Sequence, residues 1–273
     1  MTELEIDIYN TQNLIKGREK KDFSPVYFST NEMLDDILQY IDVQGKKILS
    51  VIGSGDQAFH FYNMGARKVD LFDINKLTFY YYYLRVWTMR YLKKSYPEYN
   101  MDTNYIRNLL ELVTPKSADE IKAYKYWMKF VNNFNVVCSD FMFIPSFLDL
   151  DEKIYDGTDL FERIAEYDPK FYHFDITERI NHKSKYDIIY TSNIHEYIEK
   201  EEKFKLYRNN LFKLSKRNGI IISTNVMNDG PYEEEIKCMK KKFKCRHLPN
   251  IDFDYGIGIT SLGYCYSKRK IHL

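Results

Sequence analysis

Glycine and proline are scarce, 11 and 7 in 273 residues, and no repeat or low-complexity tract interrupts the chain. Long flexible linkers are therefore not expected. Cysteine is scarce too. Cys138, Cys238, Cys245 and Cys265 form no C-x-x-C pair and no spacing of metal-ligand type. That argues against a disulfide framework and a bound metal, and for reduced thiols in a reducing compartment. An excess of one charge is also missing: 40 Lys+Arg stand against 39 Asp+Glu, a net charge of +1. A protein that grips nucleic acid by its phosphates usually carries a clear basic excess, so nucleic acid is not an expected partner. No apolar run is long enough to span a bilayer. The first residues, MTELEIDIYN, are acidic where a secretion signal is basic and then apolar. The expectation is a cytoplasmic protein without a transmembrane segment.

What remains is ordinary globular composition, 44% hydrophobic and 29% charged, in a chain long enough to bury a sizeable core. The 25 Tyr and 18 Phe are a heavy aromatic load, which reads first as compositional bias. Ser29 and Glu32 have capping-box spacing, and Met33, Leu34, Ile37, Leu38 and Ile41 follow at helical intervals. They predict a helix ending near Gly45. Ile48, Leu49, Val51 and Ile52 predict a buried parallel strand that stops at Gly53-Ser54-Gly55. A helix starts at Asp56, Gly65 closes it, and residues 68–73 form the next strand. Residues 76 to about 96 are helical and aromatic. The stretch 102–169 carries more helical patterning, broken by Pro115 and Pro145, and is too long for an ordinary crossover. Residues from about 95 to 169 are therefore expected to be a helical insertion or cap within a single domain spanning 1–273.

The sheet resumes at 171–175 and continues at 186–191. A helix to about Asn218-Gly219, a strand at 220–224, a helix at about 231–243 and a final edge strand at 260–267 complete the pattern. Alternating strands and helices predict an α/β fold, a mostly parallel sheet with helices on both faces. The bases Lys237, Lys240, Lys241, Lys242, Lys244 and Arg246 follow the acids Glu233, Glu234 and Glu235. That order suits the macrodipole of a solvated helix.

Chemistry concentrates where strands end. Small residues at Gly53-Ser54-Gly55 let backbone N–H groups approach a ligand, and the carboxyl ends of strands are where open α/β sheets bind ligands. Asp73 ends the second strand about twenty residues beyond the loop. A carboxylate there can accept both ribose hydroxyls of an adenosine; alternatively Asp73 or Asn75 caps the helix that follows. Asp175, followed by Ile176, can meet an adenine amino group and ring, or cap a turn. Thr191-Ser192-Asn193-Ile194-His195-Glu196-Tyr197 follows the next strand. In it His195 is a candidate catalytic group or an ordinary loop histidine. The run Phe79-Tyr80-Tyr81-Tyr82-Tyr83 either packs as core or walls a pocket for an acceptor, which makes Tyr80 and Tyr81 the other catalytic candidates.

The segments ILSVIGSGDQAF, VDLFDIN, FYHFDI and YDIIYTSNIHEYI, in this order, resemble the class I S-adenosylmethionine (SAM)-dependent methyltransferase superfamily. The resemblance runs from about Met33 to Ser267, apart from the insertion. It implies a Rossmann-like fold and SAM as cofactor. It places Ser50, Gly53, Ser54, Gly55, Asp56 and Gln57 around the tail and ribose of SAM. Asp73, with Ile74 and Asn75, falls at the ribose hydroxyls, Asp175 and Ile176 near adenine, and Ser192, Asn193 and Ile194 beneath the tail. Ser50 replaces the usual first-strand acid, and Asp56 is the acid that could take over the amino group. The serine-bearing loop, the DIN motif and the SNI motif are also similar to the betaine-lipid aminocarboxypropyltransferase group.

The expected activity is a SAM-dependent transferase, first a methyltransferase acting on a small-molecule or amphiphilic acceptor. The alternative is transfer of the 3-amino-3-carboxypropyl group. A NAD-dependent oxidoreductase is disfavoured because Ala58 stands at the third position of G-x-G-x-x-G. A non-catalytic scaffold that keeps the fold is the remaining alternative.

Overall fold

The computed structural model describes residues 1–18, 22–30, 32, 34–98, 101–138, 141–143, 161, 163–164, 166–225, 237, 239–247 and 262–267. In chain order the elements begin with α1 Glu3–Ile15, β1 Val26–Tyr27, α2 Leu34–Leu38, β2 Lys47–Val51, α3 Asp56–Asn63, β3 Lys68–Asp73 and α4 Lys76–Trp87. A π-helical turn, Thr88–Leu92, precedes α5 Thr103–Leu112, α6 Ala118–Asn133, β4 Met142–Phe143, β5 Lys170–His173 and β6 Tyr186–Tyr190. A 3-10 turn, Ile194–Tyr197, leads to α7 Glu201–Leu214, β7 Ser215–Asn225, β8 Lys244–His247 and β9 Leu262–Ser267. The chain groups into two compact units, one of residues 31–51, 60–72 and 169–273 and one of residues 1–30, 52–59 and 73–168. No described helix is long and apolar enough to cross a membrane.

The first unit is built on a sheet with the spatial order β5-β3-β2-β6-β7-β9-β8. Numbered within the sheet alone, from β2 as the first strand to β9 as the seventh, this order reads 3-2-1-4-5-7-6. β3, β2, β6 and β7 run parallel to one another, and β9 runs antiparallel to both β7 and β8. The first five positions are those of a doubly wound sheet, in which ligands bind at the carboxyl ends of the strands where the order reverses, here between β2 and β6. The mostly parallel α/β architecture expected from the sequence is present.

Why these strands are buried follows from their apolar runs and their register. Ile48 pairs with Ile188, which pairs with Ile220, and Leu49 pairs with Ile189, which pairs with Ile221. Successive side chains alternate faces, so the two rows point to opposite sides of the sheet. The Leu49, Ile189 and Ile221 row packs with Phe204, Tyr207, Leu211 and Leu214 of α7, and with Met239 and Phe243. On the other face Phe61 of α3 meets the Tyr190 ring edge-on at 5.7 Å. α7 forms because its apolar residues recur at helical spacing while Glu201 and Glu202 occupy the first turn and Lys213 the last. Each fully buried side chain of this set contributes about 1.5–3 kcal/mol.

Several boundaries differ from the sequence reading. The helix after Glu32 is only α2, and the bond from Ile41 N–H to the Leu38 carbonyl, 2.9 Å, closes its turn. α7 stops at Leu214, where the sequence suggests Asn218-Gly219, because Ser215 already pairs with Tyr186. The register then shifts before Ile188 meets Ile220. Gly219 permits this crowding, since a Cβ there would lie 2.9 Å from the Tyr186 carbonyl oxygen. The final strand is not at the edge: β8, whose K-C-R-H sequence hides its strand character, covers it. Of the helix expected at 231–243, residues 231–236 and 238 lie outside the described residues, as do Asn31, Met33 and Thr260.

The second unit is largely helical. α4 is buried on every side: Leu77, Tyr80, Tyr81, Tyr82, Tyr83, Leu84, Val86 and Trp87 are all at most 1% exposed. Asn75 caps it, its side chain accepting from the Leu77 N–H. The Tyr80 ring stacks on Tyr126 of α6 with centroids 3.7 Å apart, and the Trp127 indole donates to the Tyr80 carbonyl at 2.9 Å. Ser117 caps α6, and Glu120 in its first turn accepts a fork of bonds from Arg90 at 2.8 and 3.1 Å. The helices expected as an insertion fall in this unit together with α1 and α4; residues 144–160 lie outside the described ones.

Candidate functional site

The helical unit holds the glycine loop. Gly53 and Gly55 both have positive φ, 52° and 94°, which only glycine adopts without strain. The Gly55 N–H closes the turn on the Ile52 carbonyl at 2.7 Å. A Cβ on Gly55 would meet the Tyr82 ring at 3.1 Å and the Phe59 ring at 3.3 Å. Gly55 is therefore required twice, by its backbone and by its neighbours.

Asp73 is tied to this loop. Its Oδ2 accepts from the Gly53 N–H at 3.3 Å and its Oδ1 from the Asn75 N–H at 2.9 Å. Burial pushes the carboxyl up to about 6 despite the backbone N–H groups of Asn75 and Gly53, which favour its charge. Of the two readings the sequence left open for the helix cap, Asn75 performs it, and Asp73 joins loop to strand.

Asp56 is buried and has a different role from the one the sequence suggested. Its carboxylate accepts from the Arg85 guanidinium at 2.7 Å, the Ser54 hydroxyl at 2.6 Å, the Thr30 N–H at 2.8 Å and the Tyr96 hydroxyl at 3.0 Å. Such a set matches the acceptor capacity of one carboxylate. Burial works against the charge, but the Arg85 cation and the Ser54 hydroxyl outweigh it and hold the carboxyl below its usual range. The cation beside Asp56 is Arg85. Arg85 also donates to the Ser54 carbonyl at 3.0 Å and lies over the rings of Tyr96 and Phe59 at 4.1 and 4.9 Å. It is a central residue that the sequence reading missed; the signal was an arginine set among the aromatic residues of α4. Gln57, also buried, donates to the Thr30 hydroxyl at 3.3 Å, and Ile74 is half-buried between Asp73 and the cap.

Tyr80 and Tyr81 do not wall a pocket. The Tyr80 hydroxyl donates to the buried Asp7 carboxylate, and the Tyr81 hydroxyl donates to the Phe28 carbonyl at 2.7 Å. Burial first, and Asp7 next for Tyr80, push both phenols far above their ordinary range. These rings are core because α4 is covered by residues distant in sequence, Phe28, Tyr126 and Trp127 among them, an environment no periodicity within α4 could reveal.

The sheet unit holds the other candidates. Ser50 is buried in β2 and its hydroxyl donates to the Val51 carbonyl at 2.9 Å. Asp175 lies two residues beyond β5, and its Oδ1 accepts from the Thr177 N–H at 2.8 Å and the Thr177 hydroxyl at 2.6 Å, so the capped-turn reading holds for this side chain. Ile176 is buried in the core beside Tyr186 and Ile198. After β6, Ser192 takes the left-handed conformation at φ 51°. Its hydroxyl donates to Glu32 Oε1 at 2.8 Å. The Asn193 amide donates to Glu196 at 2.8 Å, and Ile194 packs against the core. His195 is 1% exposed, with Nδ1 2.8 Å from the Ser223 hydroxyl. Burial pushes it down to about 4, so it is neutral at physiological pH. Glu32 is the residue of this group that the sequence placed only in a helix cap.

No protein-family model matches the chain, and no curated protein matches its sequence. Among solved structures it is similar to a TehB-like SAM-dependent methyltransferase from Corynebacterium glutamicum ATCC 13032, with 10% identity and a TM-score of 0.47 over 97% of this chain and 98% of that one. It is similar to the N-methyltransferase NodS from Bradyrhizobium japonicum WM9 in complex with S-adenosyl-L-homocysteine, with 8% identity and a TM-score of 0.45 over 86% and 84% of the two chains. It is also similar to magnesium protoporphyrin IX methyltransferase from Synechocystis PCC 6803 with bound SAM, with 11% identity and a TM-score of 0.42 over 98% and 85%.

Proposed function

We propose that this protein binds SAM and is a SAM-dependent transferase, first a methyltransferase acting on a small-molecule or amphiphilic acceptor. The observation that carries the reading is the Gly53–Gly55 loop fastened to Asp73 through the Gly53 N–H, in a chain whose parallel strands follow the 3-2-1-4-5 order. The sixth and seventh strands depart from the 3-2-1-4-5-6 order of dinucleotide-binding sheets, which weighs against the NAD-dependent alternative.

On this reading Asp73 accepts the ribose hydroxyls, for which a carboxylate is the fitting acceptor. Gly53, Ser54 and Gly55 admit the ligand close to the backbone, with Gln57, Ile74 and Asn75 beside them. Asp56 and Arg85 keep the loop in shape from behind. The resemblance assigns Asp175 and Ile176 to adenine and Ser50, Ser192, Asn193 and Ile194 to the tail; those assignments rest on it alone. When bound, SAM supplies an electrophilic carbon attached to its sulfonium. The protein's task is then to bind and align a nucleophile, which needs no catalytic triad. His195 and the α4 tyrosines serve the fold in this proposal.

The test is calorimetric titration with SAM, S-adenosylhomocysteine and NAD. Binding of the two sulfur nucleosides and not of NAD is expected. Asp73→Ala should weaken SAM by about 1.5–3 kcal/mol, the range for hydrogen bonds to a charged group. Tight NAD binding without SAM binding overturns the reading. The by-product then decides the group transferred: S-adenosylhomocysteine for methyl, methylthioadenosine for aminocarboxypropyl.

A further inference from the structure

The core stripe of α7 is Phe204, Tyr207, Leu211 and Leu214. A second stripe, Leu206, Asn209, Asn210 and Lys213, recurs beside it at helical spacing and lines an open groove of about 630 Å³. Arg179 and Ile180, from the segment between β5 and β6, join the lining, as do Phe212 and Lys242. All belong to the sheet unit. The volume falls within the range of about 300–1,000 Å³ typical of clefts that hold small molecules.

Two of the polar residues fix the shape of this groove. Asn210 is 2% exposed, and its amide donates to the backbone carbonyls of Ile176 at 2.8 Å and Glu178 at 2.6 Å. That fastens the segment carrying Arg179 and Ile180 to α7. Lys242 donates to Asn209 Oδ1 at 2.8 Å, and its Nζ lies 5.0 Å from the centre of the Phe212 ring. The Phe212 ring in turn meets the buried Phe243 with centroids 5.9 Å apart. An amide and a ring thus hold the Lys242 ammonium in place, and neither neutralises it.

The charge of the groove has one sign. Arg179, Lys213 and Lys242 are cations, and no lining residue is an acid. Lysines elsewhere in this unit keep acidic company: Lys46 with Asp42 at 2.8 Å, Lys205 with Glu201 at 3.1 Å and Lys216 with Asp187 at 2.8 Å. Cations that converge in a cleft repel one another and focus a positive potential there, which an anion relieves. Ile180, Leu206 and Phe212 supply apolar surface beside them. A plainly solvated helix face would need neither the concavity nor a lysine held in position.

We propose that this groove binds a small amphiphilic phosphate, its phosphate group among Arg179, Lys213 and Lys242 and its apolar part against Ile180, Leu206 and Phe212. A phosphate suits three cations better than a carboxylate does, since it brings nearly two charges and three acceptor oxygens, and an arginine fork binds it by two parallel bonds. None of these residues is among those assigned to SAM above, so the site stands independently of that assignment.

The experiment titrates the full chain with 1-naphthyl phosphate, followed by naphthyl fluorescence and by the side-chain amide signals of Asn209 and Asn210 in NMR. Wild type should bind the ester about tenfold or more tightly than inorganic phosphate or 1-naphthol, and both amide signals should shift. A variant combining Arg179→Gln, Lys213→Gln and Lys242→Gln should lose about tenfold or more in affinity. A control combining Lys46→Gln, Lys200→Gln and Lys205→Gln removes as many charges outside the groove and should lose none. Equal affinity of wild type and the groove variant overturns the site, as does the absence of binding at millimolar ester. Equal affinity for the ester and inorganic phosphate overturns the amphiphilic assignment. Binding to phosphatidylcholine vesicles containing phosphatidic acid, without binding of the naphthyl ester, gives the cations to a membrane surface and overturns the small ligand. Should the combined groove variant not fold, the three single Gln variants are titrated, and full affinity in all three overturns the proposal.

Discussion

Replacing Arg85 with Met keeps much of the side chain's length and removes its charge. Both Arg85 and Asp56 are buried, at 0% and 1% exposure. The variant therefore leaves a carboxylate in the interior that keeps its bonds from Ser54, Thr30 and Tyr96 and loses the Arg85 cation. Breaking a buried pair from one side costs about 3–5 kcal/mol. At roughly 2.1 cal/mol/K of unfolding entropy per residue, the 273-residue chain would lose about 5–9 °C in Tm if it unfolds as one body, and more if the helical unit melts alone. The pH dependence has a definite sign. In wild type the Asp56 carboxyl is held low, so its stabilisation is present above its unfolded value of 3.8 and lost as pH falls. In Arg85→Met burial acts without the cation and raises the same carboxyl. The variant is then penalised above about pH 4 and relieved as the proton is taken up. Urea unfolding of both proteins at pH 7 and pH 4.5 should show the gap narrowing in acid. A gap below about 1 kcal/mol at pH 7, or one that does not change with pH, would refute the assignment of Arg85 as the counter-charge of Asp56.

The remaining predictions concern the loop and α4. Gly55→Ala should lose about 1–3 kcal/mol of stability, because φ is 94° and the new Cβ meets the Tyr82 and Phe59 rings; chemical denaturation measures it, and a neutral substitution would show that the loop relaxes freely. SAM affinity should fall as pH drops through about 6, where Asp73 takes up its proton, while Asp73→Asn should flatten that profile in calorimetric titrations. The same raised carboxyl contributes instability that grows as pH rises from about 4 through 6, so between pH 4 and pH 7 Asp73→Asn should lose less stability than wild type in urea unfolding, and an equal loss would contradict the burial argument. Tyr80→Phe removes a donor from buried Asp7 and should cost about 1–3 kcal/mol with nucleoside affinity unchanged; altered affinity with unaltered stability would return Tyr80 to the binding site.

How much of this was legible in the sequence depended on the range of the forces involved. β2, β3, β6 and the loop are local: an apolar run of Ile48 and Leu49 halted by Gly53 and Gly55 specifies its own strand and turn. Asp73 stood out by its spacing from the loop, but its bond from the Gly53 N–H did not. Burial was not. The sequence left Tyr80, Tyr81 and Tyr82 open between core and pocket wall because a helix read alone has one buried face, whereas α4 is covered by partners distant in sequence, Tyr126 and Trp127 among them. Asp56 and Glu32 were opaque for the same reason. Their partners Arg85, Ser192 and Thr224 lie tens to hundreds of residues away, and nothing in a window of ten residues announces a pair of that kind.

The place of β9 has a consequence for the order of assembly. It is the last described strand along the chain, yet it lies between β7 and β8 and is the strand through which β8 joins the sheet. Until residues 262–267 exist, β7 presents an open row of backbone donors and acceptors and β8 has no mate. During synthesis these described strands therefore wait on β9, and a ribosome-bound or truncated chain carries an exposed edge able to pair with a second molecule. Any C-terminal shortening that reaches Ser267 should expose that edge and lower the folded yield as protein concentration rises.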